Sequence, residues 1–158
     1  MDGAEQDRLM TRTTLRIWAA DKSSGERVDE EILVEPAGND TWRLLTSPGL
    51  AQGMASGDVI EVDQARRARP VVRGGNLAVH VLAPPEHAED LLPQMRRLGG
   101  VRDGQTAELT VYTVPVSAGF PAVERVLEDF VRRHPDAEWY YGNVDDTDGV
   151  TPLLWWQT

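Results

Sequence analysis

Thr106-Ala-Glu-Leu-Thr-Val-Tyr-Thr-Val-Pro-Val-Ser-Ala-Gly-Phe-Pro-Ala-Val-Glu-Arg-Val-Leu-Glu-Asp-Phe-Val-Arg-Arg133 is the stretch that decides how this sequence is read. Residues 106–116 are rich in β-branched and apolar side chains and read as a buried strand. Residues 120–133 space Val123, Val126, Leu127, Phe130 and Val131 at i, i+3, i+4, i+7 and i+8, which is one face of a helix. Pro121 suits the first helical turn, and Arg132, Arg133 and His134 complement the negative end of the helix dipole. Pro115 and Gly119 punctuate the link between the two, so the stretch spells a strand followed by a helix.

The flanking residues extend this unit in both directions. Upstream, residues 76–83 set Leu77, Val79 and Val81 against Ala78, His80 and Leu82, the period of a strand. Pro84-Pro85 stops it, 86–89 form a loose turn, and a helix runs from an Asp90 cap to Gly99-Gly100. That cap places Pro93 in the first turn, where it avoids the roughly 3 kcal/mol cost of an interior proline. Leu91, Leu92, Met95 and Leu98 form the buried stripe. Residues 100–103 are expected to pair with the long strand across an Asp103-Gly104 hairpin turn. Downstream, Pro135-Asp136 ends the second helix and 137–144 form a last strand. The order β-α-β-β-α-β predicts a ferredoxin-like half.

The first half has a different pattern. Residues 13–20, 28–35, 41–46, 59–62 and 70–73 read as short strands separated by turns, with no helix. The predicted fold class is therefore α+β, a small antiparallel β-barrel-like half followed by the ferredoxin-like half. Residues 1–12 read as a flexible extension, 13–74 as the all-β part, 75–144 as the α+β part, and 145–158 as an acidic loop with an aromatic tail. Gly74-Gly75 is the expected junction.

Composition excludes several functions. The 26 acidic against 16 basic residues give a net charge of −10, which repels nucleic acid and favours a basic partner. There is no cysteine, so disulfides, thiolate catalysis and cysteine-held metals are absent. No apolar run approaches the ~20 residues of a membrane span, and the N-terminus lacks the apolar core of a secretory signal, so a cytoplasmic location is expected.

Motifs for catalysis or metal binding are missing as well. His80, His87 and His134 have no spacing that would bring two onto one face, so no metal site is expected. Asn143-Val-Asp145-Asp146-Thr-Asp148-Gly149 is out of register for a calcium loop and reads as a solvated turn. The glycines at 49, 53 and 57 lack the lysine of a phosphate loop, and Gly53-Met-Ala-Ser56-Gly57 misses the nucleophile-elbow spacing by one residue. Neither a catalytic residue nor a cofactor is expected. What remains is Trp139-Tyr140-Tyr141 and Trp155-Trp156, beside Asp145, Asp146 and Asp148. Aromatics of this kind usually cover a sheet. Rimmed by acids, they are also the residue types that anchor protein interfaces.

Gly53-Met-Ala-Ser-Gly57-Asp58-Val59-Ile60-Glu61-Val62, the strand 79–83, and Tyr112-Thr-Val-Pro115 followed by Val123 and Leu127 resemble, in that order, a family of small bacterial proteins catalogued as a domain of unknown function. The likeness covers about residues 13–143. It implies a small β-barrel followed by an α+β half, and it brings no activity, ligand or catalytic residue with it. The expected function is thus non-enzymatic binding of a protein partner, an immunity or accessory role toward a basic protein being one form. The alternative is a small-molecule or enzymatic site in the cleft between the halves.

Overall fold

The computed structural model describes residues 12–146 and 148–157. Apart from Arg12, the extension expected over 1–12 lies outside the described residues. The chain is α+β, with two antiparallel sheets and few helices. The first sheet, in the order β1-β2-β3-β4-β5, joins β1 (Thr13–Asp21), β2 (Arg27–Gly38), β3 (Thr41–Leu44), β4 (Val59–Val62) and β5 (Ala68–Val72). The second, in the order β7-β8-β6-β9, contains β6 (Asn76–Leu82), β7 (Val101–Gln105), β8 (Leu109–Pro115) and β9 (Glu138–Tyr141). Helices α1 (Pro85–Ala88) and α2 (Leu92–Arg97) link β6 to β7, and α3 (Phe120–Arg133) links β8 to β9. No helix among the described residues is long and apolar enough to cross a membrane.

Helix α3 buries Val123, Leu127 and Phe130 against the second sheet. They meet Leu77, Val79 and Val81 of β6, Tyr112 and Val114 of β8, and Leu91 and Met95 of the crossover. Each such side chain contributes about 2–3 kcal/mol when fully withdrawn from water, so this face holds most of the second half's stability. The first sheet has its own core of Ile17, Ile32, Val34, Leu44 and Ile60, completed by Ala51 and Met54 from the long β3–β4 connection. In the β2–β3 hairpin, Asn39 and Asp40 take φ of 53° and 58°, the left-handed pair that a two-residue turn of this hand requires.

Several expectations need correction. The first sheet does not close into a barrel: β1 and β5 are its edges, and no ladder joins them. Strands β4 and β5 have four and five residues, too short to curl round to β1, whose own register breaks between Trp18 and Ala20. Instead the Trp18 amide donates to Arg66 O at 2.9 Å. The Arg27 and Arg67 guanidinium groups also stack on the Trp18 ring, 4.7 and 4.5 Å from its centre.

In the second sheet, Asp103-Gly104 is no turn but part of β7, at a bulge between Arg102 and Gly104. The β7–β8 hairpin turns three residues later, where Thr106 Oγ1 accepts the Glu108 and Leu109 amides. A threonine that caps its own turn can displace an Asp-Gly signal. Helix α2 begins after Leu91, with Pro93 in its first turn, and no side chain caps it. Asp90 faces His134 instead, Oδ2 to Nε2 at 3.1 Å. Of residues 86–89, expected as a loose turn, the first three join Pro85 in the one-turn helix α1.

Candidate functional site

The expected aromatic residues divide between two faces of β9. Trp139 and Tyr141 point toward α3, with ring centres 5.1 Å apart at 87°. Phe120, the first residue of α3, meets Tyr141 edge-on at 5.4 Å and Trp156 at 5.1 Å. Trp156 in turn meets Trp155 at 5.5 Å. These five rings form one continuous edge-to-face row, the geometry aromatic pairs prefer. Tyr140 does not join it. Alternation along the strand turns it to the other face, where it stacks on His80 at 4.8 Å and stays 39% exposed.

Trp155 is anchored: its indole Nε1 donates to Asn143 O at 2.8 Å, and the Arg73 guanidinium lies 5.6 Å from its ring centre. Fully buried Asn143 in turn accepts the Ala78 amide and donates to Asn76 O. The tail is therefore docked against the start of β6, and Trp156 and Trp139 are half-buried members of the row. Burial raises the Tyr141 phenol above its ordinary range, and the nearby carboxylates Glu124 and Glu128 add to the shift.

The acids between β9 and the tail form a hairpin. Asp145 bridges to Pro152, and the Asp146 amide donates to Thr151 O. Asp148 accepts the Val150 and Thr151 amides and the Thr151 hydroxyl, which holds its carboxyl below the ordinary range. An acid occupied by its own loop in this way is a turn cap, as expected for a solvated turn. Among the described residues, no group of three metal-ligating side chains could hold an ion.

A second region escaped the sequence reading. Loop 45–58 crosses from the first sheet onto the outer face of the second. Glu30 of β2 accepts the amides of Gly49, Leu50 and Ala51 at 2.7, 3.1 and 2.9 Å. Asp103 of β7 accepts the Ser47 amide at 2.8 Å and the Thr113 hydroxyl. Ser47 Oγ lies 2.6 Å from Thr113 Oγ1 and accepts the Ser56 amide at 3.0 Å. Asp58, 1% exposed, accepts the amides of Gly74 and Ala55 and pairs with Arg73 at 3.3 Å. Burial raises the Asp58 and Asp103 carboxyls, and their hydrogen bonds pull them back. A cavity of about 300 Å³ lies beside Asp103, walled by Leu45, Ser56, Val101, Thr113 and Pro115. No local sequence signal marks this site, because its partners lie far apart in the chain.

A sequence model described as "Domain of unknown function (DUF4265)" matches residues 30–139, more than half of the chain. The chain belongs to the DUF4265 family. Phe120 and Trp139 of the aromatic row fall inside the matched residues, whereas Tyr141, Trp155 and Trp156 fall outside. No curated protein matches the chain in sequence. Among solved structures it is similar to a hypothetical protein from Neisseria gonorrhoeae, at 11% identity and a TM-score of 0.64. That likeness covers 84% of this chain and 93% of the other, and at such identity it shows a shared fold alone.

Proposed function

We propose that this DUF4265 protein is a non-enzymatic, cytoplasmic binding protein whose aromatic row receives a basic protein partner. The observation that carries this reading is the row itself: five rings in edge-to-face contact from Trp139 to Trp155, partly open to solvent. Glu124 and Glu128 act on Tyr141 within it, and Asp145, Asp146 and Asp148 follow in the next loop. Half-buried tryptophan beside acids supplies the apolar anchor and the charge that a basic surface would meet. The net charge of −10 supports the same sign of partner. An immunity or accessory role is one form such binding takes. The strand order β7-β8-β6-β9, with helices between β6 and β7 and between β8 and β9, supports reading the scaffold beneath the row as ferredoxin-like.

The test is capture of partners on the N-terminally tagged protein, with Trp156→Ala alongside. A basic protein held by the wild type should be lost at least tenfold from the variant, the size of an interface hot spot. Added salt should weaken the complex. Recovery of the same partner by both proteins would sink the reading.

A further inference from the structure

We infer that the cavity beside Asp103 is a binding site for a small alkylammonium group. This stands apart from the aromatic row and does not depend on it.

The site is built rather than incidental. The Ser56 amide donates to Ser47 Oγ, Ser47 Oγ meets Thr113 Oγ1, and Thr113 reaches Asp103 Oδ2, which also receives the Ser47 amide. Four groups from loop 45–58 and strand β8 thus fix one carboxylate of β7. The Ser47 hydroxyl also acts on this carboxyl, and Asp103 lines the cavity. Ser56 and Asn76 belong to the same wall, and Asn76 bonds Ser56 O through Nδ2, which leaves its Oδ1 as a further acceptor. The rest of the wall is apolar, from Leu45, Val101 and Pro115.

A wall with one fixed carboxylate and further side-chain oxygens selects a hydrogen-bond donor, and its negative charge rejects anions. An ammonium offers three donors on a compact charge. The apolar side fits a short alkyl chain, and about 300 Å³ has room for one of a few carbons. The Thr113 hydroxyl is held between Asp103 and Ser47, and the assignment is one of binding.

The test is a titration of the ¹⁵N-labelled full chain with n-butylammonium chloride, followed through the Ser47, Ser56 and Val101 amides. Sodium butyrate serves as the anionic control and Nα-acetyl-lysine methylamide as a second probe. Saturable shifts with n-butylammonium and none with butyrate are expected. Asp103→Asn, which keeps an acceptor for the Ser47 amide, should weaken binding at least tenfold. Val101→Trp fills the cavity from the exposed edge strand without removing any group of the Asp103 network, and should weaken it similarly. Response to both amines assigns the site to a lysine side chain as well as to free amines, whereas n-butylammonium alone assigns it to free small amines. If neither amine gives saturable shifts, or Asp103→Asn binds as tightly as the wild type, the inference is overturned.

Discussion

Helix α3 and loop 45–58 are both firmly held, by opposite means. The helix is fixed by apolar side chains that recur within its own fourteen residues, Val123, Leu127 and Phe130. The loop is fixed by carboxylates from elsewhere: Glu30, nineteen to twenty-one residues away from the amides it holds, and Asp103, fifty-six residues from Ser47. The first kind of contact is non-directional and scales with buried area. The second depends on each amide finding its acceptor, and leaves an unpaired buried group if one partner is removed. The molecule thus has one part held by packed apolar area and one held by individual pairings.

The largest effect should come from the apolar side of this comparison. Phe130 is fully buried among Leu127, Met95 and Tyr112. Phe130→Ala should lower stability by about 4 kcal/mol, the transfer loss and the cavity together. Urea unfolding would read this as a lower midpoint at an unchanged slope. Phe130 itself carries no charge, so most of the loss should persist from pH 5 to pH 8, with the titratable His134 ring against it at 4.9 Å. A pH-dependent loss would mean that α3 also relies on ionised contacts.

The polar side should give a somewhat smaller loss with a different signature. Asp58→Ala strands the Gly74 and Ala55 amides and leaves Arg73 without its carboxylate. Breaking a buried pair from one side costs about 3 kcal/mol or more. The damage should be local as well as global, with amide exchange accelerating at Gly74 and Ala55 before the second sheet opens. Uniform protection at those two amides in the variant would show that Asp58 is not the lock.

These contrasts explain what could be read from the chain. Helix α3 was legible to its end residues, because its spacing, its proline and its terminal arginines all lie within it. The five strands of the first half were legible as elements, yet their closure was not. Whether β5 reaches β1 depends on strand length and on the Trp18 bulge, and neither has a compositional signature. Gly74 stood out in the sequence, but not for the reason the structure gives. A Cβ there would stand 2.4 Å from the Gly57 carbonyl carbon, so the two backbones meet where no side chain fits. Of the expected site, the sharing of a face by Trp139 and Tyr141 followed from strand alternation. Phe120 and Arg73 joined the aromatics only through the fold. Glu30 and Asp103 gave no sign at all, since an isolated acid on a strand is ordinarily solvated.

His80 lies where the two regions meet, and it gives the smallest and most diagnostic effect. Its ring is fully buried on the outer face of β6, with neither nitrogen hydrogen-bonded. Gly142 lies beside it, with its carbonyl accepting the Gly53 amide of the loop at 2.7 Å. Burial lowers the His80 pKa from 6.5 to about 4. The unfolded chain therefore takes up this proton at a higher pH than the folded one, and stability must fall as pH drops through that window. By pH 5 the loss should be about 2 kcal/mol relative to neutral pH. Asp58 and Asp103, whose carboxyls are raised, act with the opposite sign, because the folded state binds their protons first. The histidine is isolated by subtracting the pH profile of His80→Leu, which lacks the titrating ring and its two unpaired nitrogens. That variant should be more stable than the wild type at pH 7, and the gap should widen toward pH 5. Parallel profiles would mean that the ring reaches water through motion of loop 45–58, and would place the loop rather than the helix face as the part of the molecule that opens first.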